Sequence, residues 1–179
     1  MNTNKTAYFL KLTLTLLVIS AVVAGLLGLT NFITADRIAQ INEQKTAASM
    51  QEVLPADSYT PVEYTGAEAN VAAVHQAGES GYVVEVTPAG FGGTIDMVVG
   101  VDMTGVVTGV SIIDMSETSG LGDNASKADF RDQYVGMSGE LAVNKDGGEI
   151  DALTGATITS RAVTDGVNTA LRVAAELMG

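Results

Sequence analysis

Near the C-terminus, Asp151-Ala152-Leu153-Thr154-Gly155-Ala156-Thr157-Ile158-Thr159-Ser160 gathers four hydroxyl side chains and a glycine directly before a helical pattern. These are the residue types that bind phosphate. Ala162, Val163, Gly166, Val167, Ala170, Leu171, Ala174 and Leu177 recur at three- and four-residue intervals, which predicts a helix from Ser160 to Leu177. The first turn of such a helix has backbone N–H groups without intrahelical partners and carries the positive end of the dipole. Both favour an anionic group. Gly155 and Ala156 let the backbone approach that group closely. A plainer role stands beside this one: Thr159 or Ser160 serves as an N-cap, where hydroxyls are preferred whatever the function.

A second stretch with chemical potential is Ser116-Glu117-Thr118-Ser119-Gly120-Leu121-Gly122-Asp123. Alone it is an ordinary turn. It also offers what a flat ring needs, an apolar face on Leu121 between two glycines, with Thr118 beside it for polar contact.

The elements that position these stretches follow from the patterns between them. Tyr82–Val86, Thr94–Val101 and Val106–Ile113 are β-branched runs separated by glycine-containing breaks, and Thr104-Gly105 predicts an antiparallel hairpin between the last two. Shorter strands are expected at Tyr59–Tyr64 and Val71–His75, a small helix at Lys127–Tyr134, and edge strands at Glu140–Val143 and Glu149–Ala152. Strands followed by a terminal helix make the fold class α+β. Leu12 to Ala35 contains no charged residue, and as a helix it is ~36 Å long, enough to span a bilayer with some tilt. Ile33-Thr34-Ala35 also fits a cleavage site, but the span exceeds the ~7–15 apolar residues of a signal peptide. Ile38, Ile41, Ala48, Val53 and Leu54 continue a weak helical pattern up to Pro55. The expected organisation is a cytoplasmic N-terminus at 1–11, a transmembrane helix at 12–35, a helical stalk at 36–56 and an extracytoplasmic domain at 57–179.

Composition excludes several functions. The chain of 179 residues has no cysteine and one histidine, His75, which rules out thiolate-held iron–sulfur clusters, cysteine-linked haem and disulfides. No metal ligand set is expected around a solitary histidine. The formal net charge is −12, with every acid after residue 35. That balance argues against nucleic acid, whose phosphates are neutralised by Lys and Arg. No ionisable residue lies within Leu12–Ala35 to carry an ion.

Asp151-x-x-Thr154-Gly155-Ala156-Thr157 resembles the Asp-x-x-Ser/Thr-Gly-Ala-Ser/Thr acceptor at which a flavin transferase attaches FMN through a phosphodiester to the last hydroxyl. Glu117-Thr118-Ser119-Gly120-Leu121-Gly122 resembles the Glu-Thr-Pro-Gly-Leu-Gly loop of FMN-binding domains in the same family, with Ser119 in place of proline and so with a looser turn expected. Gly90-Phe91-Gly92-Gly93-Thr94-Ile95 opens the sheet as it does there. With the single N-terminal span, the chain is similar to the G subunit of the Rnf electron-transport complex, and next to the C subunit of the Na⁺-translocating NADH:quinone oxidoreductase (Nqr).

The resemblance implies covalent FMN on Thr157, with Thr154, Gly155, Ala156, Glu117, Thr118, Gly120 and Leu121 also binding the cofactor and Leu121 packing on the ring. A threonine hydroxyl needs a base or a metal to become a nucleophile, and the stretch supplies neither, so a separate flavin transferase is implied. The resemblance further implies an electron-relay subunit, without a complete active site of its own. It would work among other membrane subunits of a complex that couples ferredoxin:NAD⁺ electron transfer to Na⁺ or H⁺ translocation. Two other readings stay open: an anchored anion- or flavin-binding module without covalent attachment, and a flavinylated subunit of another electron-transfer system such as Nqr.

Lys5 and Lys11 precede the span with no acid among them, which by the positive-inside rule puts the N-terminus in the cytoplasm. Protease added to intact cells with an opened wall is therefore expected to digest residues beyond Asp36. Protection there, with digestion only in inverted vesicles, reverses the orientation.

Overall fold

A computed structural model of the chain describes residues 3–179. Met1 and Asn2, the start of the expected cytoplasmic segment, lie outside the described residues, as do the side chains of residues 3–6 (Lys5 among them), Asp36 and Ala39. Helix α1 runs over Thr3–Val53 and takes in the whole uncharged stretch. Within it, Ala7–Ala35 is long and apolar enough to cross a membrane and is exposed along its length. Thr13, Thr15, Thr30 and Thr34 each donate to the carbonyl four residues earlier at 2.8–2.9 Å. Back-bonding of this kind satisfies a hydroxyl without water. The helix stops at Val53, two residues before Pro55, whose ring disfavours helix in the residue ahead of it.

The compact unit spans Gln44–Gly179 and so begins inside α1, earlier than the boundary at 57 expected from the sequence. Its sheet is a five-stranded antiparallel meander in chain order: β1 Thr60–Pro61, β2 Val71–Ala77, β3 Gly81–Val86, β4 Ile95–Asp102 and β5 Val107–Met115. The hairpin at Thr104-Gly105 forms as expected. One oxygen of Asp102 accepts from the Thr104 N–H at 2.8 Å, the Thr104 hydroxyl at 2.6 Å and the Val106 N–H at 3.0 Å. Those bonds hold the Asp102 carboxyl below the usual carboxylate range.

Both faces of the sheet are covered. Helix α3, Thr157–Met178, lays Ala162, Val163, Val167, Ala170 and Ala174 on Val84, Val86, Met97 and Val99 of the front face. Gly166 permits the close approach, since a Cβ there would stand 3.0 Å from both Met97 Sδ and Pro88 Cγ. On the back, Met50, Val53 and Leu54 pack with Ala77, Val83 and Val98. This face carries the pair Gly100 and Gly109, which are opposite each other in the β4–β5 register. A Cβ on Gly109 would fall 2.8 Å from Val53 Cα. Thr108 Oγ1 donates to the Val53 carbonyl at 2.6 Å, satisfying one of the carbonyls that a helix end leaves open.

Three local expectations are corrected. The last helix starts at Thr157 instead of Ser160, because Gly155 (φ +77°) turns the chain and the Ala156 N–H closes on the Leu153 carbonyl at 3.0 Å. The edge strands at Glu140–Val143 and Glu149–Ala152 reduce to one bridge, Val143 to Ile150, around a 3₁₀ turn at Asn144–Asp146 that ends on left-handed Gly147. The helix near Lys127–Tyr134 splits into α2, Ala128–Arg131, and a 3₁₀ turn at Asp132–Tyr134.

Seating the end of α1 on two glycines makes that contact sensitive to one methyl group. Gly109→Ala is expected to cost about 1–3 kcal/mol, the range for overpacking a filled interior. Thermal denaturation of the detergent-solubilised chain reads it as a lowered midpoint; an unchanged midpoint speaks against this seating of Val53.

Candidate functional site

Three segments converge at the first turn of α3. The loop before β4, Gly90–Gly93, is closed by the Gly90 N–H on the Gly93 carbonyl at 2.7 Å and based on the bridge of Ala89 with Thr94. The loop after β5, Ser116–Gly122, follows the strand that pairs with β4. The third segment is Leu153–Thr159. Glu117 joins all three: Oε1 accepts from the Phe91 N–H at 2.8 Å and the Gly92 N–H at 3.1 Å, and Oε2 from the Thr159 hydroxyl at 2.8 Å. The approach depends on missing side chains. A Cβ on Gly90 would collide with Glu117 Oε1, and one on Gly122 would stand 2.6 Å from Oε2.

The Ser116–Gly122 loop is tighter than the loss of a proline suggests. Leu121 N–H donates to the Thr118 carbonyl at 3.1 Å across Gly120, whose φ is +78°. Asp123 then clamps the turn, accepting from the Gly120 N–H at 2.7 Å and the Ser119 hydroxyl at 3.1 Å. Serine thus supplies a bond that proline lacks. Leu121 reaches over the Thr154-Gly155 turn, where a Cβ on Gly155 would lie 3.2 Å from Leu121 Cδ2.

Asp151 braces this turn from behind. Its Oδ1 accepts from Asn144 Nδ2 at 2.9 Å and its N–H donates to Gln133 Oε1 at 2.7 Å. Arg161 holds Asp146 at 2.6 and 2.7 Å, tying the Asn144–Asp146 turn to α3 and keeping the Asp146 carboxyl below its ordinary range. Beneath the site, Tyr134 and Thr164 share a buried hydrogen bond of 2.9 Å, and burial pushes the Tyr134 phenol well up.

Between the three segments lies a cavity of about 410 Å³ lined by Phe91, Glu117, Thr118, Leu121, Gly122, Gly155, Ala156, Thr157, Ile158 and Thr159. Of the residues expected from the sequence, Thr157, Gly155, Ala156, Glu117, Thr118 and Leu121 line it, while Thr154 and Gly120 shape the two turns without lining it. Phe91 and Ile158 go beyond those expected, and Thr159, which the sequence offers only as a cap, lines the wall and bonds Glu117. The signal for Phe91 is its place inside a glycine-rich loop, a backbone built for close approach.

Thr159 and Ser160 do not cap the helix. Among the described residues no side chain caps α3, so the N–H groups of Thr157, Ile158 and Thr159, which line the cavity, are left without helix partners. Ser160 turns inward, accepting from the Leu153 N–H and donating to the Ala156 carbonyl, both at 3.0 Å. A cavity of this size suits a nucleotide-sized ligand. Its free amide donors meet an anionic end, and Leu121, Ile158 and Phe91 offer apolar surface to a ring. FMN has both parts and fits the residues present.

Fold and cavity together define an FMN-binding domain on an apolar anchor helix, and residues 90–172 match the FMN-binding domain family. Residues 1–53 match the RnfG N-terminal region. The chain is 40% identical to the G subunit of the Na(+)-translocating ferredoxin:NAD(+) oxidoreductase complex of Acetobacterium woodii, across 91% of this chain and 90% of that protein. It is 35% identical to the G subunit of the proton-translocating ferredoxin:NAD(+) oxidoreductase complex of Clostridium ljungdahlii, across 89% and 86%. The chain therefore belongs to the RnfG family, the G subunits of the Rnf ion-translocating oxidoreductase complexes. Its fold is shared with the C subunit of the Na(+)-translocating NADH-quinone reductase from Parabacteroides distasonis, with a TM-score of 0.54 at 21% identity over 75% of this chain and 83% of that one.

Removing the carboxylate that joins the three segments strands two backbone donors and one hydroxyl. Glu117→Ala is expected to lower stability by about 1–3 kcal/mol, and Glu117→Gln, which keeps one acceptor oxygen, by less. Urea denaturation of the full chain measures both; equal effects would mean that the bonds to Phe91 and Gly92 carry no weight.

Proposed function

We propose that the chain is the flavin-carrying electron-relay subunit of an Rnf-type complex, with FMN joined through its phosphate to the Thr157 hydroxyl. The complex would couple electron transfer between reduced ferredoxin and NAD⁺ to movement of Na⁺ or H⁺, the domain lying outside the cytoplasm on its single span. The observation that carries this reading is the position of Thr157. It is the first residue of an uncapped helix and lines the same cavity as Leu121 and Thr118.

The bound FMN would supply reversible electron transfer. What the chain supplies is binding and orientation. The N–H groups of the first turn of α3 would hold the phosphate, helped by the dipole. Gly155, without a side chain, leaves Leu121 room beside the attachment point. Leu121 would cover ring surface and exclude water, and Thr118 or neighbouring backbone N–H groups would serve the polar edge. Among the described residues no base is hydrogen-bonded to the Thr157 hydroxyl, and the Glu117 carboxylate bonds Phe91, Gly92 and Thr159 instead. Attachment therefore falls to a separate flavin transferase, for which this chain is the substrate.

Coexpression with a flavin transferase, denaturation and illumination of the gel test the assignment. A fluorescent band is expected for the wild type and for Thr154→Ala, and none for Thr157→Ala. A band that persists in Thr157→Ala moves the attachment elsewhere. No band at all with active transferase favours a module that binds its anion without a covalent bond.

A further inference from the structure

Among the described residues, five large apolar side chains are exposed within Gln44–Gly179, namely Phe91, Met103, Leu121, Val135 and Ile158. Three of them, Phe91, Leu121 and Ile158, line the cavity described above. Phe91 is the most exposed, at 68%. Apolar surface held open beside a cavity gains burial when the cavity fills.

The backbone that carries Phe91 is fixed although its ring is free. The Phe91 and Gly92 N–H groups both end on Glu117 Oε1. Side chains at 90 and 92 would collide with Glu117 Oε1 and the Ser116 carbonyl respectively, so glycine at both positions is what lets the loop reach the carboxylate. Gly90, Gly92 and Gly93 leave no neighbouring side chain in the loop for the ring to rest on. Phe91 thus lines the cavity on a backbone held by main-chain bonds, and its phenyl has no side-chain neighbour in its own loop.

We propose that Phe91 is an aromatic wall of the flavin site, stacking on the ring, and that Glu117 is the positioning residue that holds it there. A phenyl face on a flat heteroaromatic ring is a favoured arrangement. The two oxygens of Glu117 accept from Phe91, Gly92 and Thr159, so Glu117 acts on the ring's wall through the loop and α3. The proposal rests on the flavin reading above, and it links the ring end of the site to the attachment end through one carboxylate.

The chain has no tryptophan, so Phe91→Trp introduces a single indole, and indole stacked on a flavin quenches its emission whereas phenyl does not. Flavin emission of the full, flavin-loaded chain is measured folded and again after unfolding. The unfolded value reports how much flavin is present, and its absence there overturns the flavin reading itself. With flavin present, a folded-to-unfolded ratio several-fold lower in Phe91→Trp than in the wild type is expected. A ratio equal to the wild type overturns the wall, leaving Phe91 as an outer surface for a protein partner. Because position 91 is exposed, this variant does not endanger folding. Adding Glu117→Gln to Phe91→Trp is expected to keep the quenching and adding Glu117→Ala to release it. Quenching retained in the folded Glu117→Ala double variant overturns the positioning role.

Discussion

The carboxylate of Glu117 accepts hydrogen bonds from the loop ahead of β4 and from the first turn of α3, while itself belonging to the loop after β5. Segments so far apart in the chain lose entropy when they are brought together, and a single acceptor with two oxygens holds their meeting point. Charged acceptors make the stronger hydrogen bonds. The cost is steric, since the backbone must come close enough for one side chain to serve three donors. Glycine at 90, 92 and 122 meets that requirement. The geometry of the cavity follows from this junction, whose members Glu117, Phe91 and Thr159 are also part of its wall.

Behind the junction, the sheet is a two-sided platform. Alternation along β3 and β4 sends Val84, Val86, Met97 and Val99 to α3, and Val83 and Val98 to the end of α1. Strand β4 is therefore apolar on both faces, which is why its sequence reads as an almost continuous run of aliphatic residues. Buried on both sides, it gives the loops at its ends little freedom. The cavity is built on the ends of rigid elements and inherits their precision.

Much of this is legible in the residues. The β-branched runs mark the last three strands, and the glycine at 105 marks the hairpin because a tight reversal needs positive φ there. Small apolar residues at helical spacing mark α3. The acceptor pattern and the Gly-Leu-Gly loop point to residues that share one cavity. What escapes depends on contacts that local pattern does not encode. The start of α3 moves to Thr157 because the Leu153–Ala156 turn closes on itself, and a hydroxyl at Thr159 looks like a cap until its partner on a distant loop is known. Segments 140–143 and 149–152 carry strand-like residues, but their backbone bridge joins them only to each other, across a turn, outside the five-stranded sheet. Phe91 reads as punctuation before a strand, since nothing in one sequence says which way an aromatic ring in a glycine loop faces.

The back face has a consequence for how this protein is taken apart. Met50, Val53 and Leu54 cover Ala77, Val83 and Val98, and the Val53 carbonyl is the partner of Thr108. A soluble fragment cut at the start of the sheet would look complete by its strands and its cofactor motifs, yet it would present a bare apolar stripe floored by Gly100 and Gly109. Such a surface invites a second copy or aggregation. The last turns of α1 are thus an integral wall of the domain, and the useful cut lies no later than Gln44, where the compact unit begins.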